Sequence, residues 1–396
     1  VSSLMKRPRL SRPTITTLLD SLTELGLVAP QGAEGNVGRP AETWAPRKDA
    51  GVVIGVDLLH RSALLAVARL DGEIIETDHR SGVSVDSSVR FTTLLDLIST
   101  HITEGTAGPP LAIVVSTTGT VDLDGRLMRS DAVPQWEGFA LGRELSQRLN
   151  LPVRIENDVN ASAFGEFALR CGDGSLEPTD DLLLIALSRA IVTGLVMGGK
   201  LHRGNRQNAG EVGLRIVDES GPAPGNLVRA AESIGTVSAV LDPACIVLTL
   251  PNRESPGILA EIIDHLRVNR ESSAAELNLQ VSRLGQGAAI VGALSLALQD
   301  ARTALFGEST RLIPIPKEIG HITRITARGI HSPMSTAQPA ASERATLRIG
   351  VVGVGARADI AKHFELPRLN CRITAAADPH RGRDRLQHRH DRLPGD

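Results

Sequence analysis

Residues 155–166 read Ile-Glu-Asn-Asp-Val-Asn-Ala-Ser-Ala-Phe-Gly-Glu, and this stretch decides the fold. Residues 153–156 are short and β-branched, which predicts a strand. Residues 160–169 are rich in alanine, which predicts a helix. Asn157-Asp158 therefore falls at a strand-to-helix corner, and α/β proteins bind ligands at such sheet ends. A carboxylate accepts hydrogen bonds and an amide both donates and accepts, so the pair can grip sugar hydroxyls. Asp158 can also deprotonate one of them. The competing use of Asn157 and Asp158 is to cap the helix.

Outward from this corner, strands and helices alternate over residues 50–306. Strands are predicted at 51–57, 62–69, 73–77, 111–115, 182–187, 191–197 and 246–250. Asp71-Gly72 and Asp124-Gly125 are turns. Helices are predicted at 140–149, 227–241, 256–268 and 288–306. The fold class expected is α/β with two lobes. Residues 312–346 carry Pro314, Pro316, Pro333 and Pro339 without periodicity and read as a linker. A further strand–turn–helix begins at Leu347, and residues 380–396, rich in Arg and His, read as a tail.

Bulk properties exclude several classes. The 396 residues suffice for two or three domains. Only 2% are aromatic and none is Tyr, so the core must be aliphatic. A net charge of −2 gives no whole-chain basic field for nucleic acid, leaving local patches. Cys171, Cys245 and Cys371 form no C-x-x-C pair, so neither a zinc knuckle nor a disulfide framework is expected. No uninterrupted apolar run is long enough for a membrane, and residues 1–9 carry no signal-peptide core. A cytoplasmic protein with no membrane partner is expected.

An ordered series of short motifs resembles the ROK family of sugar kinases and sugar-responsive repressors. The pieces are Gly55-Val56-Asp57, Thr118-Gly119-Thr120-Val121-Asp122 with Gly125, Trp136, and Glu156-Asn157-Asp158-Val159-Asn160 with Gly165-Glu166. They continue through Leu201-His202-Arg203-Gly204, Ala209-Gly210-Glu211-Val212-Gly213, Leu241-Asp242-Pro243 and Leu284-Gly285. The resemblance implies an actin-like, ribonuclease H-like body of two lobes. It also implies that Asp158 sits where the kinases keep their base, and that Asn157, Glu211 and Gly119 line the sugar.

The same resemblance shows departures. Kinases need Gly-rich turns whose N–H groups approach phosphate. The family's Asp-x-Gly-Gly-Thr reads Asp57-Leu58-Leu59-His60-Arg61 here, and its second Gly-rich run reads 188–194 with only Gly194 in place. Side chains at both turns obstruct phosphate. The family's zinc-binding His is replaced by Leu214, and the Cys-rich loop is absent. From Gly221 the chain passes quickly to a helix that comes much later in the family, so an internal piece, with a sugar-contacting Glu, is missing. No cofactor is expected.

Residues 1–49 combine a helix carrying Ile15, Leu18, Leu19, Leu22 and Leu25 with a Gly-rich loop at 32–38 and a short strand at 43–45. Ser11 is placed to cap, Pro13 suits the first turn, and Gly26 stops the helix. This resembles the recognition helix and wing of ROK repressors, implying that Ser11, Arg12, Thr14 and Thr17 face the major groove and Arg39 the minor groove. Two helices that precede them in that motif are not in the sequence, so the start is expected to be incomplete. Residues 347–378 resemble the first βαβ unit of the glucose–fructose oxidoreductase/inositol dehydrogenase/MocA family. Gly350, Gly353 and Gly355 are its glycines and Asp378 its ribose acid. No second half follows, so NAD binding and dehydrogenase activity are not expected.

The function expected is a sugar-responsive, DNA-binding regulator of the ROK type without kinase activity. Its partners would be operator DNA and a small sugar or sugar phosphate, and family members often form homodimers. The alternatives are an ATP-dependent hexose kinase, for which Asp158 speaks, and a degenerate fusion product carrying an inactive NAD-binding fragment.

Overall fold

The computed structural model describes residues 11–34, 41–103, 107–130, 133–187, 190–212, 214–215, 217–218, 221–222, 224–249, 256–268, 278–307, 314–317, 319–327, 347–352, 364–366 and 371–377. The chain divides into two compact units: Val1–Pro46 with Phe306–Leu312 and Thr346–Asp396, and Arg47–Leu305 with Ile313–Ala345.

In the first unit, α1 (Arg12–Glu24) starts where the sequence says it should. Ser11 is extended, its Oγ accepts from Thr14 N at 3.4 Å, and Pro13 occupies the first turn. Gly26, at φ 69°, ends it in the left-handed region. Ile15 and Leu19, one turn apart, are buried. The wing is a two-stranded antiparallel sheet of β1 (Val28–Glu34) and β2 (Ala41–Pro46), with Val28 opposite Pro46. It is longer than expected: β1 runs through Gly32 to Glu34, so the connecting loop starts later.

The second unit contains both lobes. In the first lobe, β3 (Val52–Leu58), β4 (Ser62–Arg69) and β5 (Ile74–Ser81) form an antiparallel meander. It is followed by α2 (Ser87–Thr103), β6 (Pro110–Thr117), the short pair β7 (Thr120–Val121) and β8 (Leu127–Arg129), α3 (Leu141–Leu149), β9 (Val153–Asn157) and α4 (Asp158–Gly172). The sheet order is β5-β4-β3-β6-β9, with β6 and β9 parallel to β3. All seven residues of β3 are buried, as befits a central strand covered on both faces.

The second lobe repeats this plan. It runs β10 (Leu182–Leu187), β11 (Ala190–Met197), β12 (Lys200–Leu201), β13 (Leu214–Arg215), the hairpin β14 (Val217–Asp218) and β15 (Gly221–Pro222), and α5 (Pro224–Leu241). Then come β16 (Cys245–Thr249), α6 (Pro256–Val268), β17 (Leu279–Val281) and α7 (Ala288–Phe306). Its sheet order, β12-β11-β10-β16-β17, has the same two antiparallel and two parallel neighbours. This is the two-lobed α/β fold expected from the sequence.

Helices α4 and α7 lie between the sheets. One core joins Val53 and Leu64 of the first sheet, Leu184 and Val247 of the second, Phe164 and Phe167 of α4, and Leu294 and Leu298 of α7. The outer faces are covered by α2 and α3 on one side and by α5 and α6 on the other. Gly285–Phe306 is long and apolar enough to cross a bilayer, but it is largely buried here as the central core helix. The two central helices cross with backbones touching: a Cβ on Gly292 would lie 1.7 Å from Ala161 O, and one on Gly165 would lie 2.6 Å from Ala288 O.

Part of the expected linker belongs to this body. Lys317 bridges Glu73 beside β5, and its ammonium meets Asp71 at 2.9 Å. Helix α8 (Gly320–Ala327) then buries Ile322 completely against the core, with Ile319 one turn earlier. The Ile319-x-x-Ile322 spacing was the signal, and the flanking prolines obscured it.

The last strands are β18 (Leu347–Val352), β19 (Phe364–Leu366) and β20 (Cys371–Ala377). β18 and β20 pair in parallel. The strand β19, antiparallel to β20, was not anticipated. Gly350, expected to follow a strand, lies inside β18 at a register irregularity. Gly353, Gly355 and Asp378 lie outside the described residues.

Candidate functional site

The carboxyl ends of three parallel strands come together in register. Asp57 of β3 pairs with Ser116 of β6, and Thr117 of β6 with Asn157 of β9. Asp158 opens α4 directly after. The corner expected at 157–158 is therefore real, and it sits at the sheet end where ligands of α/β proteins bind.

Asn157 is the cap of α4. Its Oδ1 accepts from Val159 N at 2.9 Å and Asn160 N at 3.0 Å, and its Nδ2 donates to Gly119 O at 2.9 Å. The amide expected to grip a sugar is thus largely spent on structure, and one N–H remains to offer a ligand. Gly119 is fixed by the same contact, and at φ 111° a Cβ would strike Arg129 O at 2.1 Å.

Asp158 differs. Burial pushes its carboxyl up to about 7, the neighbouring Asp57 adds to this, and Glu211 adds further; the Val159 N–H opposes it. Burial also raises Asp57 to about 6, against a 2.7 Å hydrogen bond donated by Ser116 Oγ. Asp158 thus feels two other carboxylates, and strongly perturbed acids of this kind are candidates for functional positions. The approach of Asp57 to Asp158 depends on strand order, which the sequence does not display.

Glu211, exposed, arrives from the second lobe on the loop 202–212. The loop is docked on β11: Thr193 N and Oγ1 both donate to Gly210 O, at 2.8 and 3.2 Å. Gly210 is required there, with φ 93° and Thr193 O only 1.9 Å from where a Cβ would lie. Leu214, at the family's His position, is in β13.

The β3–β4 turn at Leu59, His60 and Arg61 is organised by Arg90 of α2. Its guanidinium is buried, donates to Leu59 O at 2.5 Å and His60 O at 2.9 Å, and lies 5.6 Å from the Trp136 ring. The turn's carbonyls are drawn inward and its three side chains are exposed, which is unlike a phosphate-cradling loop. Of the second turn, Ser188 and Arg189 lie outside the described residues. Gly194 serves packing: a Cβ there would meet Val159 O and the Ala163 Cβ, each at 2.7 Å.

On α1, Ser11 and Thr17 are exposed and Thr14 is half-buried. Ser11 Oγ and Thr14 Oγ1 share a 2.7 Å hydrogen bond, and Thr17 Oγ1 donates to Pro13 O at 3.0 Å. The side chain of Arg12 and all of Arg39 lie outside the described residues.

The ROK family model matches residues 53–226, the segment that contains this entire corner and loop. These residues form a ROK family domain. Curated xylose repressors are similar to the chain, among them that of Caldicellulosiruptor bescii, 26% identical over 221 residues, 55% of this chain and 54% of the repressor. The glucokinase of Halalkalibacterium halodurans is 27% identical over 176 residues, 44% of this chain and 52% of the enzyme. The chain spans about half the length of the curated relatives it matches. Among solved structures, a ROK family transcriptional regulator, homolog of the E. coli MLC protein, superposes with a TM-score of 0.57 at 18% identity. That alignment covers 75% of this chain and 90% of the regulator, and shows the ROK fold.

Proposed function

We propose that this ROK domain is the sensing body of a sugar-responsive transcriptional repressor that no longer transfers phosphate, and that its effector is a pentose such as xylose. The observation that carries this reading is the split character of the site. The carboxylates Asp158 and Glu211 act on each other at the sheet end, while the turn at 59–61 has no glycine and is tied inward by Arg90. Similarity to xylose repressors supports the pentose. The hydroxyls of Ser11, Thr14 and Thr17, with Arg12 and Arg39, would contact operator DNA in this reading. Sugar would bind between Asp158 and Glu211 and shift the population away from the DNA-bound form.

The test is fluorescence anisotropy on a duplex taken from upstream of the gene. Binding should weaken steeply between about 50 and 200 mM salt, as counterion release demands. Millimolar D-xylose should release the duplex. Xylose that alters neither DNA binding nor thermal unfolding sinks the proposal.

A second reading, sugar kinase, is favoured by Asp158 itself, because a carboxyl near 7 suits a general base. A coupled ADP-release assay with xylose, glucose and N-acetylmannosamine separates the two. Turnover abolished by Asp158→Asn would establish the kinase.

A further inference from the structure

We propose that Arg203 is the positioning residue that sets the spacing between the two halves of the sugar site, acting through Glu156; this rests on the reading that Asp158 and Glu211 hold a sugar. Glu156 is buried one residue before Asn157, and each of its oxygens has several donors. Oε1 accepts from the Asn157 backbone N and from Asn160 Nδ2, both at 3.2 Å. Oε2 accepts from Arg154 Nη2 at 3.0 Å, from Arg203 Nε at 3.0 Å, and from Arg203 Nη2 in a short contact. Arg154 in turn reaches Asp300 of α7 at 3.2 Å. Burial alone would raise Glu156, but the hydrogen bonds and charge of Arg203, then of Arg154, outweigh it and hold the carboxylate ionised.

The two arginines differ in where they come from. Arg154 lies on β9, in the same strand as Glu156. Arg203 lies on the loop 202–212 of the second lobe, eight positions before Glu211. That loop is tied at its far end by Gly210 on Thr193 and at its near end by His202 N on Leu195 O, at 2.8 Å. Between these ties, Arg203 fastens the loop to Glu156, in the corner that carries Asp158. One carboxylate therefore orients the Asn157 backbone on one side and receives the Glu211 loop on the other. Glu156 and Arg203 fix the gap a sugar must fill, and neither needs to touch the sugar. Guanidinium engages through Nε and Nη2 together, a planar fork that an ammonium cannot reproduce.

The test compares Arg203→Met, Arg203→Lys and Arg154→Met in the full chain. D-xylose and D-glucose binding is measured by calorimetry, and backbone protection by hydrogen exchange. Arg203→Met should weaken xylose binding at least about tenfold, the worth of one charge-assisted hydrogen bond. It should also narrow the difference between xylose and glucose, because a loosened gap discriminates less. Arg203→Lys should not restore either. Arg154→Met removes equal charge from the same carboxylate but leaves the loop tied, so it should change xylose affinity less than about threefold by the same scale. Amides of residues 202–212 should lose protection in the Arg203 variants alone. Equal effects of Arg203→Met and Arg154→Met, or rescue by Lys, overturn the proposal, as does unchanged loop protection. Failure of the unmodified protein to bind either sugar sinks the underlying sugar reading instead, and the exchange data then report only on the loop.

Discussion

Gly292→Ala is expected to lower stability by about 3 kcal/mol, against the usual direction for an alanine placed in a helix. Helix interiors ordinarily gain about 1 kcal/mol from Gly→Ala, because glycine loses more backbone freedom on folding. At Gly292 the added Cβ would lie 1.7 Å from Ala161 O, and what it meets is helix backbone, not a side chain that can swing aside. Accommodation requires α4 and α7 to separate, which opens the shared core around Phe164, Phe167 and Leu294. Gly235 in α5 supplies the contrast. A Cβ there meets only Leu266 Cδ2 at 3.5 Å, an ordinary contact, so Gly235→Ala should stabilise by roughly 0.5–1 kcal/mol. Urea unfolding of both variants checks the pair: opposite signs are expected, and a neutral or stabilising Gly292→Ala would refute the close crossing. Because α4 begins at Asp158, the same variant should also blunt any response to sugar.

That crossing marks the boundary of what the chain discloses when read in one dimension. The strands at 62–69 and 182–187 and the helices at 256–268 and 288–306 follow from local pattern, because each buries continuous or periodic apolar residues. The corner at 157–158 was legible for the same reason: a β-branched run stops and an alanine-rich one starts. What local pattern cannot reveal is which residues a folded sheet brings together. Arg203 meets Glu156 from 47 positions away, and Arg90 reaches the His60 carbonyl from 30 positions away. Neither pairing has a spacing rule. Asn157 illustrates a different limit. Capping and sugar binding were competing uses of one amide, and the geometry assigns most of its hydrogen-bonding capacity to the cap. Asp158 is the neighbour of that cap whose carboxyl is held up by burial and by Asp57 and Glu211.

Asp158→Asn is accordingly expected to be more stable than the unmodified protein at pH 8, and to lose its sugar response. The sign follows from the carboxyl's raised position. Folded, Asp158 titrates near 7, held up first by burial and then by Asp57. Unfolded, it titrates near ~3.9. Between these values the folded state keeps a proton that the unfolded state releases. Its contribution to stability is therefore complete below about pH 4 and is lost as pH rises to about 7, at roughly 1.4 kcal/mol per unit, or on the order of 4 kcal/mol in all. Asp57, raised to about 6 beside it, couples to the same protons, so the loss belongs to the pair and is spread over both transitions. An amide carries no charge at any of these pH values, and its oxygen can keep the 2.9 Å hydrogen bond from Val159 N. The advantage of Asp158→Asn should thus be small at pH 4.5, widen through pH 6 and be greatest at pH 8, which urea midpoints at the three values will measure. Parallel pH profiles for the two proteins would mean that Asp158 is not held in a charge-hostile setting. The functional half has the opposite sign: an ionised carboxylate gives a sugar hydroxyl a charge-assisted hydrogen bond that the amide cannot match.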